Sequence, residues 1–267
     1  MTLVWRPGYG GAAVSDPDAQ AYLQAVEVAD NQALEQGVQQ AVNQFVIGCK
    51  ADGIWSAIKA SCILAGARTT NGALVPLVGA APTPYNFDLI GNTDYNRKTG
   101  LKGDGSTKYL DSNRDVLSDP TTSSHISVYQ TQIHSNGTAF GCSIGASEVP
   151  NTQTQLVYRA SDNLLVFRSR DFDNTSYHIT PVQFAGLLRN SPSTKTLRNG
   201  GVTSTYSIPA VAHTISRNFY VFAQNNGTPA LHSNARLAFY SIGESIDLAK
   251  LDARVTALIT AIGAAIP

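Results

Sequence analysis

Residues 124–242 fall into short runs of strand-forming residues, and this pattern constrains the fold more than any other feature. The runs are 124–129, 138–144, 155–159, 164–168, 185–189, 196–198, 202–206, 218–223 and 235–242. Turn formers separate them, among them Asp162-Asn163 and Asn199-Gly200-Gly201. No helical periodicity intervenes. Many short strands with closely spaced turns and no crossover helices indicate a sandwich or a barrel.

The stretch 95–114, YNRKTGLKGDGSTKYLDSNR, reads as strand, tight turn, strand. Asp104-Gly105 makes a turn that tolerates positive φ. Its cations (Arg97, Lys98, Lys102, Lys108, Arg114) are offset by Asp94, Asp104, Asp111 and Asp115. It is therefore read as the place where helices hand over to sheet, and not as a binding site.

The preceding residues carry helical signals. Asp16 is placed to cap a helix, Pro17 suits its first position and Asp18 complements its dipole. Tyr22, Leu23, Val26 and Ala29 share one face; Leu34, Val38, Ala41, Val42 and Phe45 continue at helical spacing. Asp30-Asn31 breaks the run in two, and Gly48 is expected to end the second helix. Ile54, Trp55, Ile58, Cys62 and Ile63 predict a further short amphipathic helix ending near Gly66. These helices serve either to close on the β domain or as the core of an oligomer. Ala29, Asp30, Ala33 and Gly37 interrupt a continuous heptad pattern. A last helix begins with Ser245 as cap, aligns Leu248, Leu251, Val255, Leu258, Ile259 and Ile262, and stops at Gly263. The expected division is an arm over 1–15, a helical attachment or oligomerisation region over 16–70, a sandwich over 71–245 and a helix over 246–267. Trp5 and Tyr9 are the candidate docking residues of the arm.

Charge narrows the function classes. The chain has formal net charge +0 and only 14% charged residues, which does not suit general binding to nucleic acid or to a membrane surface. It suits packing against proteins or hydrogen-bonding to sugars. No run of residues is long and apolar enough to span a bilayer, and the N-terminus lacks the pattern of a signal peptide. Cys49, Cys62 and Cys142 make neither a CxxC motif nor a Cys/His cluster, so they read as buried free thiols.

Catalytic patterns are missing from the sequence. The four glutamates, Glu27, Glu35, Glu148 and Glu244, do not form the alternating carboxylates of a glycoside hydrolase strand. There is no GxSxG elbow, no HExxH and no cofactor motif, so no cofactor and no metal are expected. Asp171-Phe172-Asp173-Asn174 lacks the Gly and Glu of an EF-hand loop. The candidate recognition surface is the cluster Arg168, Arg170, Asp171, Asp173, Asn174, Tyr177 and His178. These side chains suit hydrogen bonds to hydroxyls and stacking on sugar rings.

The strands resemble the concanavalin A-like (laminin G-like) jelly roll. The likeness rests on GLKGDGSTKYL (100–110), the strand 124–129, Leu188-Arg189 followed by Thr196-Leu197-Arg198-Asn199-Gly200, and LAFYSIGESID (237–247). The combination of FVIGCKADGIWSAIKASCILAGA, ALVPLVGAAPTPYNF, DYNRKTGLKGDGSTKYLDSNR and a C-terminal helix resembles virion proteins of tailed bacteriophages, marine and cyanobacterial ones especially. That resemblance implies a non-enzymatic tail fibre, spike or capsid-decoration protein located in the virion. Its implied partners are other virion proteins, a symmetric homo-oligomer with a trimer favoured, and a host-surface glycan, with no nucleic acid or membrane. The alternatives are a stand-alone carbohydrate-binding lectin module and, behind it, a glycan-cleaving enzyme. Laminin G-like domains sometimes hold calcium through loop carboxylates, which would fall to Asp171 or Asp173.

Overall fold

A computed structural model describes residues 14–136, 139–173, 175–178 and 183–267, without the side chains of 176–178. The first elements are α1 (Pro17–Asp30), α2 (Gln36–Ala51), β1 (Ile58–Ile63), the single-turn α3 (Thr70–Ala73), β2 (Pro76–Val78) and β3 (Thr83–Tyr85). Then come β4 (Tyr95–Asn96), β5 (Gly100–Lys102), β6 (Tyr109–Asp115), β7 (Ser124–Gln132), β8 (Phe140–Glu148), β9 (Thr152–Arg159) and β10 (Leu164–Asp171). The chain continues through β11 (Ser176–His178), β12 (Phe184–Arg189), β13 (Thr194–Asn199), β14 (Val202–Ser207), β15 (Asn218–Val221), β16 (Gln224–Asn225), β17 (Pro229–Ala230) and β18 (Arg236–Gly243) to α4 (Leu248–Ala265).

The strands make a mainly β sandwich of the jelly-roll kind with three layers. An inner sheet runs β14-β13-β12-β7-β18-β1-β2, with β5 on β18 and β4 on β5. An outer sheet runs β11-β10-β9-β8-β15-β6-β3, with β16 and β17 attached. Alternation along the strands fills the space between the sheets. Leu110, Ile144, Leu156, Phe167 and Phe219 of the outer sheet meet Ile126, Leu187, Leu197, Leu237 and Ile242 of the inner one.

The other face of the inner sheet is also apolar, and the helices cover it. Phe184, Phe239 and Ile63 project into a second core with Val38, Phe45, Val255, Leu258 and Ile262. Beside that row the register aligns Ser61, Ser241, Ser127 and Gly186 across four strands. This shelf of small residues lets a helix approach. A Cβ on Gly186 would lie 2.8 Å from Leu248 Cδ2 and 2.7 Å from Phe184 Cε1.

Several local expectations change. Residues 54–66 are not a helix: after a 3-10 turn at Trp55–Ala57 they form β1, between β18 and β2. A strand buried on both faces reads as a nearly continuous apolar run, which periodicity cannot tell from a helix. The region assigned to helical attachment therefore contributes a strand to the inner sheet. The apolar stripes of α1, α2 and α4 are also buried within this chain, so an oligomer would have to use other surfaces. Asp16 does cap α1, accepting from the Asp18 and Ala19 amides at 2.9 and 3.3 Å. α2 continues past Gly48, whose missing side chain admits the Arg254 guanidinium of α4; a Cβ there would sit 2.7 Å from it. Asp247, not Ser245, caps α4, and that helix runs beyond Gly263 to Ala265.

The turn at Asp104-Gly105 does more than close a hairpin. β5 belongs to the inner sheet and β6 to the outer one, so the turn carries the chain from one sheet to the other. Asp104 fixes it by accepting from the amides of Ser106, Thr107 and Lys108, each at 2.9 Å, while Gly105 takes φ 77°.

Candidate functional site

The sequence-derived cluster is dispersed by one irregularity. Strict alternation along β10 would put Arg168 and Arg170 on the solvent face of the outer sheet. A bulge between Ser169 and Asp171, with Arg170 at φ 54°, resets the alternation. Arg168 stays on the solvent face, where it donates to Gln153 Oε1 at 2.6 Å and to the Asp173 carbonyl at 3.1 Å. Arg170 turns inward and donates to the carbonyls of Val116 and Asp119, both at 2.8 Å. Asp171 is buried too, accepting from Arg189 at 3.1 Å and Lys195 at 3.0 Å. Both cations are fully buried and are further satisfied by the Ser169, Ile208 and Phe167 carbonyls. Arg170 and Asp171 thus tie the two sheets together and do not form a recognition surface. Asp173 is exposed, and its carboxylate accepts from the Thr175 hydroxyl. Tyr177 and His178 contribute backbone to the edge strand β11, and their side chains, like Asn174, Trp5 and Tyr9, lie outside the described residues.

A different group of residues is brought together on the solvent face of the outer sheet. Tyr109 and Asp111 alternate with the buried Leu110 and Ser112 along β6, so they point outward. On β15 Tyr220 alternates with the buried Phe219 and Val221. β3, at the sheet edge, supplies Thr83 and Tyr85. The register sets Tyr85 opposite Tyr109, and Thr83 and Tyr220 on either side of Asp111. Adjacent strands lie about 4.8 Å apart, close to ring-stacking distance. Tyr85 and Tyr109 stack with centroids 4.4 Å apart and planes 7° from parallel. Tyr220 lies against Tyr109 at 4.7 Å and 34°, and His232 meets the edge of Tyr109 at 6.1 Å.

Tyr109 is therefore enclosed between two rings. Among the described residues no strand lies beyond Tyr85, which is 41% exposed. Burial, with help from Asp111 and the neighbouring phenols, pushes the Tyr220 hydroxyl up to about 12; Tyr109 is raised in the same way. The hydroxyls of Tyr109 and Tyr220 accordingly stay protonated as hydrogen-bond donors and acceptors at neutral pH. Burial lowers His232 from its ordinary value, which keeps it uncharged there.

One border of the stack is built by a hairpin. β16 pairs in parallel with Gly145 and Ala146 of β8. A ladder of amides pins it: Gln224 donates to Gln155, Gln155 to Gln153 at 2.9 Å and Gln153 to Ser147 at 2.9 Å. These amides are buried, so they position the hairpin and do not face ligand.

Other concavities offer less. A cleft of about 620 Å³ opens between the ends of α2 and α4 and the β12–β13 edge. Its two carboxylates are occupied, Asp52 by Arg254 at 2.7 Å and Asp247 by the cap of α4. Glu148 and His213 suggest a relay, but Glu148 is taken by the Thr214 hydroxyl and amide at 2.6 and 2.7 Å and lies 3.9 Å from the imidazole. Among the described residues no three His, Cys, Asp or Glu side chains are grouped to hold a metal. The tyrosine stack sets an exposed aromatic face beside the Thr83 hydroxyl and the Asp111 carboxylate.

The stack went unread in the sequence because its members lie at 85, 109 and 220 and meet only through the strand order β3-β6-β15. The available signal was parity, with an outward aromatic between inward apolar residues at 219–221.

No family model matches the chain, and no curated protein matches it. Among solved structures it is similar to the binding domain of botulinum neurotoxin serotype D, at 11% identity and TM-score 0.46, over 75% of this chain and 51% of that one. It is also similar to the CBM40 of the Ruminococcus gnavus IT-sialidase, at 13% identity and TM-score 0.38, over 51% of this chain and 83% of that one. The chain thus spans about half the length of the toxin domain. Likeness at this level says nothing of ligand or partner.

Proposed function

We propose that this chain is a non-catalytic carbohydrate-binding module whose sugar site is the tyrosine stack on the outer sheet. The observation that carries this reading is the open ring of Tyr85, held upright by Tyr109 on an uncovered sheet face beside Thr83 and Asp111. A pyranose presents one apolar C–H face and a rim of hydroxyls. The ring of Tyr85 suits the first, and phenol, hydroxyl and carboxylate groups suit the second. Placement in a virion, where the module would serve host recognition, is compatible with this site and remains the setting suggested by the phage resemblance.

The test is a glycan array probed with the full chain, followed by calorimetry on the oligosaccharides it retains. Binding should be sub-millimolar, a free energy of about −4 kcal/mol or better, and should be lost in Tyr85→Ala with the fold intact by circular dichroism. Binding undiminished in that variant would move the site elsewhere.

A further inference from the structure

Resting on that reading, we infer that the stack selects neutral sugars and that Asp111 is the residue that rejects anionic ones. Asp111 stands directly opposite Thr83 across β3 and β6, two residues along each strand from the Tyr85–Tyr109 pair. In a pleated strand that offset is about 7 Å on the same face, within the span of one pyranose ring and its substituents. One carboxylate oxygen of Asp111 accepts from the Asn113 amide at 2.8 Å. This fixes the carboxylate as an acceptor for sugar hydroxyls.

Two of the nearby cations are held by other carboxylates. Lys108, next in sequence to Tyr109, is held on Asp94 at 2.5 Å. Arg114 is held on Asp119 at 2.5 Å. Arg217 lies against Gly227 of the hairpin; it acts on Tyr220, at the far end of the stack, whereas Asp111 acts on both Tyr109 and Tyr220. A carboxylated or sulfated sugar stacked on Tyr85 would bring its charge toward Asp111, while Arg217 stands away from it at the Tyr220 end of the stack, and like-charge contact at a protein surface is unfavourable.

The experiment titrates the full chain with two probe sets by calorimetry and by amide chemical-shift mapping. The neutral set is mannotriose, maltotriose, cellotriose and tri-N-acetylchitotriose; the anionic set is trigalacturonate, sialyllactose and a heparin tetrasaccharide. At least one neutral probe should bind with shifts centred on Tyr85, and every anionic probe should bind at least about fivefold more weakly than it, the scale of one surface like-charge contact. Asp111→Asn should narrow that gap by weakening the neutral probe and strengthening the anionic ones. An anionic probe that binds through Tyr85 as tightly as the best neutral one would overturn the charge selection and leave the sugar site standing. A gap unchanged in Asp111→Asn would remove Asp111 as its cause. If no probe of either class shifts the Tyr85 region, both the selection and the site fail.

Discussion

The two sheets present opposite answers to the same problem, what to do with the face turned away from the shared core. The inner sheet puts Phe184, Phe239 and Ile63 on that face and buries them under α2 and α4. The outer sheet puts Thr83, Tyr85, Tyr109, Asp111 and Tyr220 there and leaves them at least partly open. An apolar face must be covered, and its cover commits it to stability. An aromatic and polar face can stay wet and is free for recognition. The contrast predicts that substitutions on the helix-covered face act on stability and those on the open face act on binding.

The largest effect is expected on the covered face. Phe239 is fully buried and packs edge-on against Phe45 with centroids 5.7 Å apart. Phe239→Ala should cost about 3–5 kcal/mol in chemical denaturation, with sugar binding unchanged in whatever fraction stays folded. At the seam between the sheets, Asp171→Ala leaves Arg189 and Lys195 buried without their carboxylate. Breaking such a group typically costs about 3–5 kcal/mol, and a loss under about 1 kcal/mol would show that carbonyls alone satisfy those cations.

Acid should act next, and mainly on the covered side and the loop end. His125 projects from β7 and donates through Nδ1 to the Glu244 carbonyl at 2.6 Å, while Nε2 takes the Ser241 hydroxyl at 2.9 Å. Burial lowers His125 to about 4. Burial and then Arg170 lower His213 to about 4 as well. Both imidazoles stay neutral in the fold, while the unfolded chain takes up protons below pH 6.5. Stability is therefore full above that pH and declines as pH falls toward 4, by about 3 kcal/mol for a fully buried histidine such as His125. Glu148, held down to about 2 by the Thr214 hydroxyl and amide, extends the loss from pH 4.5 toward 2. Denaturation midpoints measured from pH 7 to 3 should fall, and His125→Gln should flatten the part between 6.5 and 4. A midpoint constant across that range contradicts the assignment.

The fold was largely legible in the sequence because alternation survives wherever one strand face differs from the other. Residues 124–129 and 164–168 read correctly as strands for that reason. β1 did not, since Ala60 and Cys62 enter one core and Ile58 and Ile63 the other, so no polar side marks the period. The site was less legible. The sequence places Arg170 and Asp171 at the surface, because the bulge that displaces them inward leaves no mark in it. Tyr109 carries no mark of a site in the sequence, because its partners lie 24 residues before it and 111 after it.

Smaller effects sharpen the contrast further. Gly186→Ala adds one methyl group on the covered face, where Phe184 and Leu248 already stand within 3 Å of the new atom. Overpacking of this kind costs about 1–3 kcal/mol and should shift the denaturation midpoint without touching ligand affinity. Tyr85→Ala is the converse. It removes an exposed ring from an edge strand, and a stacked aromatic pair contributes only about 0.5–1.5 kcal/mol, so the midpoint should barely move. The same substitution takes away the open ring face on which the sugar rests. A Tyr85→Ala protein that unfolds easily yet binds normally, or that loses stability and binding together, would mean that the open face carries structural load after all, and the division of labour between the two sheets would fall.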